Sequence, residues 1–387
     1  MISVAEALAR CLALAPKLPV ETVGLRHAFG RMMAAPVTAR LTQPPFDTSA
    51  MDGYALGAAG TAGARFDVIG ESSAGRRFDG AVGAGQAVRI FTGAPLPAGA
   101  AAIVMQEECT RAGAEITLTA SGPSGAHIRP QGQDFTFGAQ LEPRLLRAPE
   151  LGLIAAMNCA EVSVYRRPVV AIIATGNELV AVGGDPGPDQ IIASNGYAIA
   201  AIAESAGAIV RMLPIAPDDR AALSHVFGLC DGADVIVTIG GASVGDHDLV
   251  GEVAADLGME RAFWRIAMRP GKPLMAGRLL GAAMLGLPGN PVSSIVCAHL
   301  FLIPMLRAMQ GQSPDIATKT AYLGADLPPC GPRSHYMRAS LAGDIITPFS
   351  SQDSARLRLL SDADALLIHP ANSPALPAGA PASYIVL

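Results

Sequence analysis

Lysine is nearly missing from this chain: Lys17, Lys272 and Lys319 are the only three among its 28 basic residues. Charged residues make up 16% and aromatics 5% of the 387 positions, and the net charge is −5. An acidic chain of this kind lacks the electrostatic footprint that gathers nucleic-acid phosphates, which argues against non-specific nucleic-acid binding. The six cysteines (Cys11, Cys109, Cys159, Cys230, Cys297, Cys330) show no CxxC spacing and no histidine pairing, so neither a zinc ribbon nor a disulfide framework is indicated, and a reducing cytoplasm is the expected compartment. The most apolar run, Ile295 to Leu306, is interrupted by His299 and Pro304 and is shorter than the roughly 20 residues that cross a bilayer, so no membrane span is expected.

What the chain does have is glycine (42) and proline (30) set among 50% hydrophobic residues, the composition of a globular protein with several cores and many turns. Ser3 and Glu6 form a capping-box pattern ahead of Ala7, Leu8 and Leu12, predicting an N-terminal helix rather than a signal peptide. Four domains are expected. Residues 1–47 and 141–167 would be two halves of a linking domain, and residues 48–140 a small, mostly β domain inserted between them. Residues 168–311 would form a doubly wound α/β domain, and residues 312–387 a C-terminal β domain with a barrel-like sheet. The α/β assignment is the firmest. VVAIIATG, AIVRMLPI and VIVTIGG are strands, and helices capped by Ser194 or Asn195 and by Asp218 alternate with them. Such parallel sheets bind ligands at the carboxyl ends of their strands.

Three loop mouths fall at those ends. Gly240-Gly241-Ala242-Ser243-Val244-Gly245 is a Gly-rich turn whose backbone N–H groups can approach an anion, with Asp246, His247 and Asp248 close behind. Arg269-Pro270-Gly271-Lys272-Pro273 sets two cations three positions apart in a proline frame, and one of them is a rare lysine. Pro288-Gly289-Asn290-Pro291, followed by Ser293 and Ser294, places Asn290 as N-cap and Pro291 as first helical residue, with the free N–H groups of the helix start expected to face the pocket. The acids Asp47, Asp52, Asp134, Glu178, Asp218, Asp246 and Asp248 lie on at least five separate loops. Carboxylates beside anion cradles make chemical sense if Mg²⁺ bridges them to a phosphate or if one of them orients a nucleophile.

Taken in order, PPFDTSAMDGYA, FTGAPLPAGA, ATGNEL, GGASVGDHD, RPGKP and GLPGNPVSS resemble the MoeA family of molybdopterin molybdotransferases, which includes the E domains of gephyrin and of the plant Cnx proteins. The resemblance runs from about residue 3 to residue 387. It implies a homodimer that inserts molybdate into adenylyl-molybdopterin with release of AMP and a requirement for Mg²⁺, working beside a molybdopterin adenylyltransferase and molybdoenzyme-maturation proteins. Carried over by position, it implies catalytic roles for Asp52, Thr92, Glu178, Asp218 and Asp248, with Asp52, Glu178 and Asp248 as metal ligands. Substrate binding would fall to Asp134, Gly240, Gly241, Ser243, Gly245, Pro288, Asn290 and Pro291, and molybdate binding to Arg269, Lys272, Pro273, Ser293, Arg338 and Ser354. The chain departs from the family's usual residues at Asn177, where Asp is common, and at Arg269, where Lys is common. Two other readings stand beside this one. A molybdopterin adenylyltransferase would share the α/β domain but leave the β domains without a purpose, and a non-catalytic scaffold or cofactor carrier would not need Asp52, Glu178, Asp248 and Lys272.

Overall fold

The computed structural model describes residues 1–241 and 249–387. Contacts divide the chain into two compact units, one of Met1–Glu21, Gly30–Ala34 and Val164–Leu387, the other of Thr22–Phe29 and Ala35–Ser163.

The first unit is built on a six-stranded sheet in the order Ile209–Met212, Val169–Ala174, Val235–Ile239, Ala282–Leu287, Met275–Leu279, Glu260–Trp264. The first four strands run parallel, Met275–Leu279 runs against them, and Glu260–Trp264 pairs antiparallel with it and so returns to the common direction. Alternate residues along each strand serve opposite faces. Val170, Ile172, Val235, Val237, Ala283 and Leu285 pack with Ile199, Ala203, Ile295 and Val296 on one side. Ala171, Ile173, Ile236 and Met284 pack with Leu223, Phe227, Val250 and Val253 on the other. That two-sided burial explains the near-continuous Val/Ile runs, and it is the doubly wound arrangement the sequence predicts.

The helix Val4–Ala13, at the start of the chain, buries Ala7 and Cys11 in this α/β core. The helical stretch Pro291–Met309 exceeds the predicted apolar run and is, by length and composition, able to cross a bilayer; here 78% of it is buried, through side chains such as Val292, Val296, Leu300 and Leu306. Its continuity across His299 and Pro304 is carried by a wider π turn at Ala298–Leu302.

The C-terminal part of the same unit closes into a β-barrel. Ser334–Ala342 pairs with Ile345–Pro348 on one side and Ala365–His369 on the other, and Lys319–Leu323 and Pro381–Val386 complete the ring. Met268–Arg269 adds a short parallel strand beside Ser334 and His335, which binds the Pro-framed loop to the barrel.

The second unit holds a curled six-stranded sheet, in the order Ala102–Met105, Gly53–Leu56, Gln86–Ile90, Arg65–Ser72, Glu115–Leu118, Cys109–Ala112. Tyr54, Leu56, Phe66, Val104, Ile116 and Leu118 form its larger core. All six cysteines of the chain are free thiols.

Candidate functional site

The strand order reverses at Val169–Ala174: the chain leaves it for the edge strand Ile209–Met212 and returns on its other side at Val235–Ile239. A crevice must open at the carboxyl ends of two strands whose connections depart in opposite directions. A cavity of about 670 Å³ lies there, walled by Thr175, Gly176, Glu178, Asp218, Gly240, Gly241, Pro288, Asn290 and Pro291, with Ile191, Ile192 and Asn195 at its side. The hydrogen bonds that shape it are local. Thr175 N–H donates to the Ile239 carbonyl at 3.0 Å, and Asn195 Nδ2 donates to the Gly289 carbonyl at 2.6 Å, tying one helix start to the Pro-rich turn. Gly240 has φ +95°, and a Cβ there would stand 2.7 Å from the Thr175 carbonyl oxygen, so only glycine lets the two strand ends come together.

Details of the cradles differ from expectation. Gly240 N–H donates to the Leu287 carbonyl, and Val292 N–H, the first available in its helix, donates to the Ser354 carbonyl at 3.1 Å. Those two donors therefore serve the scaffold. Asp218 was predicted to cap the helix Arg220–Gly228, but Asp219 does so, accepting from Ala222 N–H at 2.9 Å. Asp218 is left at the cavity wall, where its N–H donates to Asn177 Oδ1 at 3.0 Å and its carboxylate accepts from Asn177 N–H at 3.4 Å. Asn177 thus holds the loop of Asp218. The predicted Ser243, Gly245 and Asp248 lie outside the described residues.

A second cavity of about 360 Å³ adjoins the first, and Pro273 lines both. Arg269, Lys272, Ser293 and Ser354, to which the resemblance gives molybdate, all line it, and so do Arg333, Gln352 and Asp353. The Pro-framed loop is pinned where it matters: the Lys272 carbonyl accepts from Ile266 N–H at 3.1 Å and from Leu274 N–H at 3.2 Å. Gly271 has φ +104° and packs where a Cβ would be 2.5 Å from Cys297 Sγ. Among the described residues, Arg269, Lys272 and Arg333 have no carboxylate within ion-pair distance. Three cations, the buried hydroxyl of Ser293 and the Asp353 carboxylate border this hollow, a lining whose excess of positive charge suits a small oxyanion. Arg338, predicted to touch that anion, does not line the cavity; it is buried behind it.

A smaller recess of about 260 Å³ shares Arg269 and Arg333 with the oxyanion cavity and is lined by Cys330, His335 and His369. Burial, and after it the nearby Arg269, push the His335 imidazole down to about 4. Between pH 6.5 and 4 the unfolded chain binds a proton there that the folded chain refuses, so stability present at neutral pH is lost as pH falls through that window. Acid unfolding followed by circular dichroism is expected to show the loss, at most about 3 kcal/mol, and His335→Gln is expected to flatten it.

Asp52, Thr92 and Asp134 belong to the other compact unit. Asp52 Oδ1 accepts from Thr92 N–H at 2.7 Å and from Thr92 Oγ1 at 2.8 Å, and the backbone bond above all holds this exposed carboxyl below its usual range. Asp134 lines a cavity of about 520 Å³ with Gln43, Phe46, Arg129 and Gln133.

Three family models match the chain: the MoeA N-terminal region (domain I and II) over residues 2–158, a probable molybdopterin binding domain over residues 171–308, and the MoeA C-terminal region (domain IV) over residues 320–387. The chain belongs to the MoeA family. A molybdopterin molybdenumtransferase from Nostoc sp. is 37% identical to this MoeA-family chain over 314 residues, covering 77% of the chain and 72% of the relative. Molybdopterin molybdenumtransferase 2 of Mycobacterium tuberculosis is 36% identical over 366 residues, covering 89% and 90%. Among solved structures, a molybdopterin biosynthesis MoeA protein from Pyrococcus horikosii is 29% identical, with a TM-score of 0.83 and coverage of 100% of this chain and 99% of that one. In the MoeA frame the central model falls on the switch-point cavity and the C-terminal model on the barrel that supplies Arg333, Gln352 and Ser354.

Arg333, Gln352 and Asp353 are the members of this cavity that the sequence did not point to, and Arg333 is the one that adds a cation. It sits in a Pro-rich stretch, PPCGPRS, that carries no motif, and only barrel closure brings it to the loop of Lys272.

Proposed function

We propose that this MoeA-type enzyme completes molybdenum cofactor biosynthesis by inserting molybdate into adenylyl-molybdopterin and releasing AMP. The observation that carries the reading is the shared wall at Pro273: a large cavity at a sheet's switch point opens beside a small cationic one. The larger takes the pterin with its phosphates and the smaller takes molybdate. Holding both reactants side by side converts a bimolecular encounter into a local one, a gain that reaches several kcal/mol when the geometry is fixed.

The roles follow from the chemistry of the side chains. Arg269, Lys272 and Arg333 balance the charge of molybdate, and the Ser293 and Ser354 hydroxyls donate to its oxygens. Asn195 and the turn Pro288–Pro291 close the far wall of the pterin cavity. Glu178 and Asp218 supply two carboxylates on that wall. Two carboxylates plus a substrate phosphate are a donor set that suits Mg²⁺, which usually keeps several waters and few protein ligands. Bound there, Mg²⁺ would neutralise charge on the phosphoanhydride as it is cleaved. Asp248 is a further proposed ligand by its position in GDHD. Asp52 and Thr92 are proposed catalytic residues on the same family grounds, and Asp52→Asn with unchanged turnover would remove that assignment. We also propose a homodimer.

Reconstitution tests the reading. The protein, adenylyl-molybdopterin, molybdate and Mg²⁺ are expected to yield a cofactor that activates a molybdenum-free molybdoenzyme, with activity lost on chelation of Mg²⁺ and restored by its return. Consumption of ATP and free molybdopterin in place of adenylyl-molybdopterin would instead favour an adenylyltransferase.

A further inference from the structure

Arg338 is only 1% exposed and, among the described residues, has no carboxylate at ion-pair distance. Asp353 favours its charge only from beyond contact distance, so a guanidinium this deeply buried must be compensated chiefly by hydrogen bonds or it would strongly disfavour the fold. Its Nη1 donates to the Arg356 carbonyl and its Nη2 to the Ser351 carbonyl, each at 3.3 Å. Those carbonyls stand at the two ends of the loop that carries Gln352, Asp353 and Ser354 into the oxyanion cavity. The backbone of Arg338 grips the same loop: its N–H donates to Gln352 Oε1 at 3.0 Å, and Gln352 Nε2 donates back to its carbonyl at 3.0 Å. A third anchor, Val292 N–H to the Ser354 carbonyl, fixes the loop's far side to the helix that begins at Pro291.

We propose that Arg338 is a positioning residue for the oxyanion cavity: its guanidinium bridges both ends of the 351–356 loop and sets Ser354 against the anion without touching it. This rests on the oxyanion reading of that cavity. The planar guanidinium presents one N–H to each carbonyl from two separate nitrogens, a forked geometry that a single ammonium nitrogen reproduces less well. The closure of the loop is thereby coupled to a buried charge, and an apolar replacement removes the reason for both ends to stay together.

The test uses the full chain as wild type, Arg338→Met, Arg338→Lys, Ser354→Ala and the Arg338→Met/Ser354→Ala double variant. Amide hydrogen exchange is read on residues 351–356 against the barrel strands Ser334–Ala342 and Ala365–His369. In Arg338→Met the loop amides are expected to exchange about tenfold faster while the strands keep their protection. Molybdate titrated into the same proteins is expected to bind about tenfold more weakly to Arg338→Met, with Arg338→Lys between it and wild type. The KM for adenylyl-molybdopterin is expected to hold within about twofold. Ser354→Ala is expected to weaken molybdate binding in wild type but not in the Arg338→Met background, since the hydroxyl is already misplaced there. Unchanged loop exchange in Arg338→Met, or additive effects of the two substitutions, would overturn the proposal. Should wild type itself fail to bind molybdate, the oxyanion reading falls, while the exchange data still decide whether Arg338 bridges the loop. If Arg338→Met does not fold, Arg338→Lys and Arg338→Gln put the same exchange question.

Discussion

Replacing Lys272 by Met is expected to weaken the use of molybdate by about 30- to 100-fold while leaving the KM for adenylyl-molybdopterin within about twofold of wild type. The ammonium is the compact point charge of a cavity that also holds Arg269 and Arg333, and its loop is fixed by two hydrogen bonds to its own carbonyl. Because the backbone is held by Ile266 and Leu274, removing the charge should not move the loop, so the effect is electrostatic rather than structural. Lys272 is exposed, and solvent screening limits the effect to less than a fully buried ion pair would give. Lys272→Arg keeps the charge and is expected to retain most of the activity. Steady-state kinetics with molybdate as the varied substrate make the comparison; an unchanged molybdate KM in Lys272→Met would remove the lysine from the site.

The second large effect is expected at Gly240. Alanine there must adopt φ +95° and place its Cβ 2.7 Å from the Thr175 carbonyl oxygen, which is backbone and cannot rotate away. The positive φ costs about 1 kcal/mol, and the collision forces the two strand ends apart, for a total of about 2–4 kcal/mol. Thermal unfolding of the variant is expected about 5–10 °C lower, with the affinity for adenylyl-molybdopterin reduced because the cavity floor is made of those strand ends. Gly258→Ala is the matched control: its φ is +85° but nothing lies within 4 Å of the added Cβ, so only the backbone cost should appear. Equal destabilisation at both positions would mean that the close approach to Thr175 contributes nothing.

Much of the α/β domain was legible because burial on two faces writes itself into the chain as unbroken runs such as Val235 to Ile239, and because Gly and Pro punctuate the strand ends where ligands bind. The loops of Glu178, Gly240, Lys272 and Asn290 could be found for that reason. Arg333 and Arg338 show the limit. They are five residues apart near and within one strand, yet one lines the oxyanion cavity and the other is buried outside its lining, because the strand Met268–Arg269 pairs beside Ser334 and His335, a contact that no sequence pattern announces. Adjacent acids showed it on a smaller scale: Asp218 and Asp219 are equally good caps by type, and the reciprocal bonds to Asn177, which is distant in sequence, decide which one remains at the cavity. Helix-start donors such as Val292 N–H were misjudged because their partner, the Ser354 carbonyl, comes from some sixty residues further along the chain.

The most direct measurement is AMP release from adenylyl-molybdopterin by the purified protein with Mg²⁺, followed by chromatography with and without molybdate. Two adjoining cavities for two reactants require that AMP appear at a rate that rises and saturates with molybdate and stays near background without it. AMP release at the same rate in both conditions, or tight pterin binding with no AMP at saturating molybdate, would contradict the account.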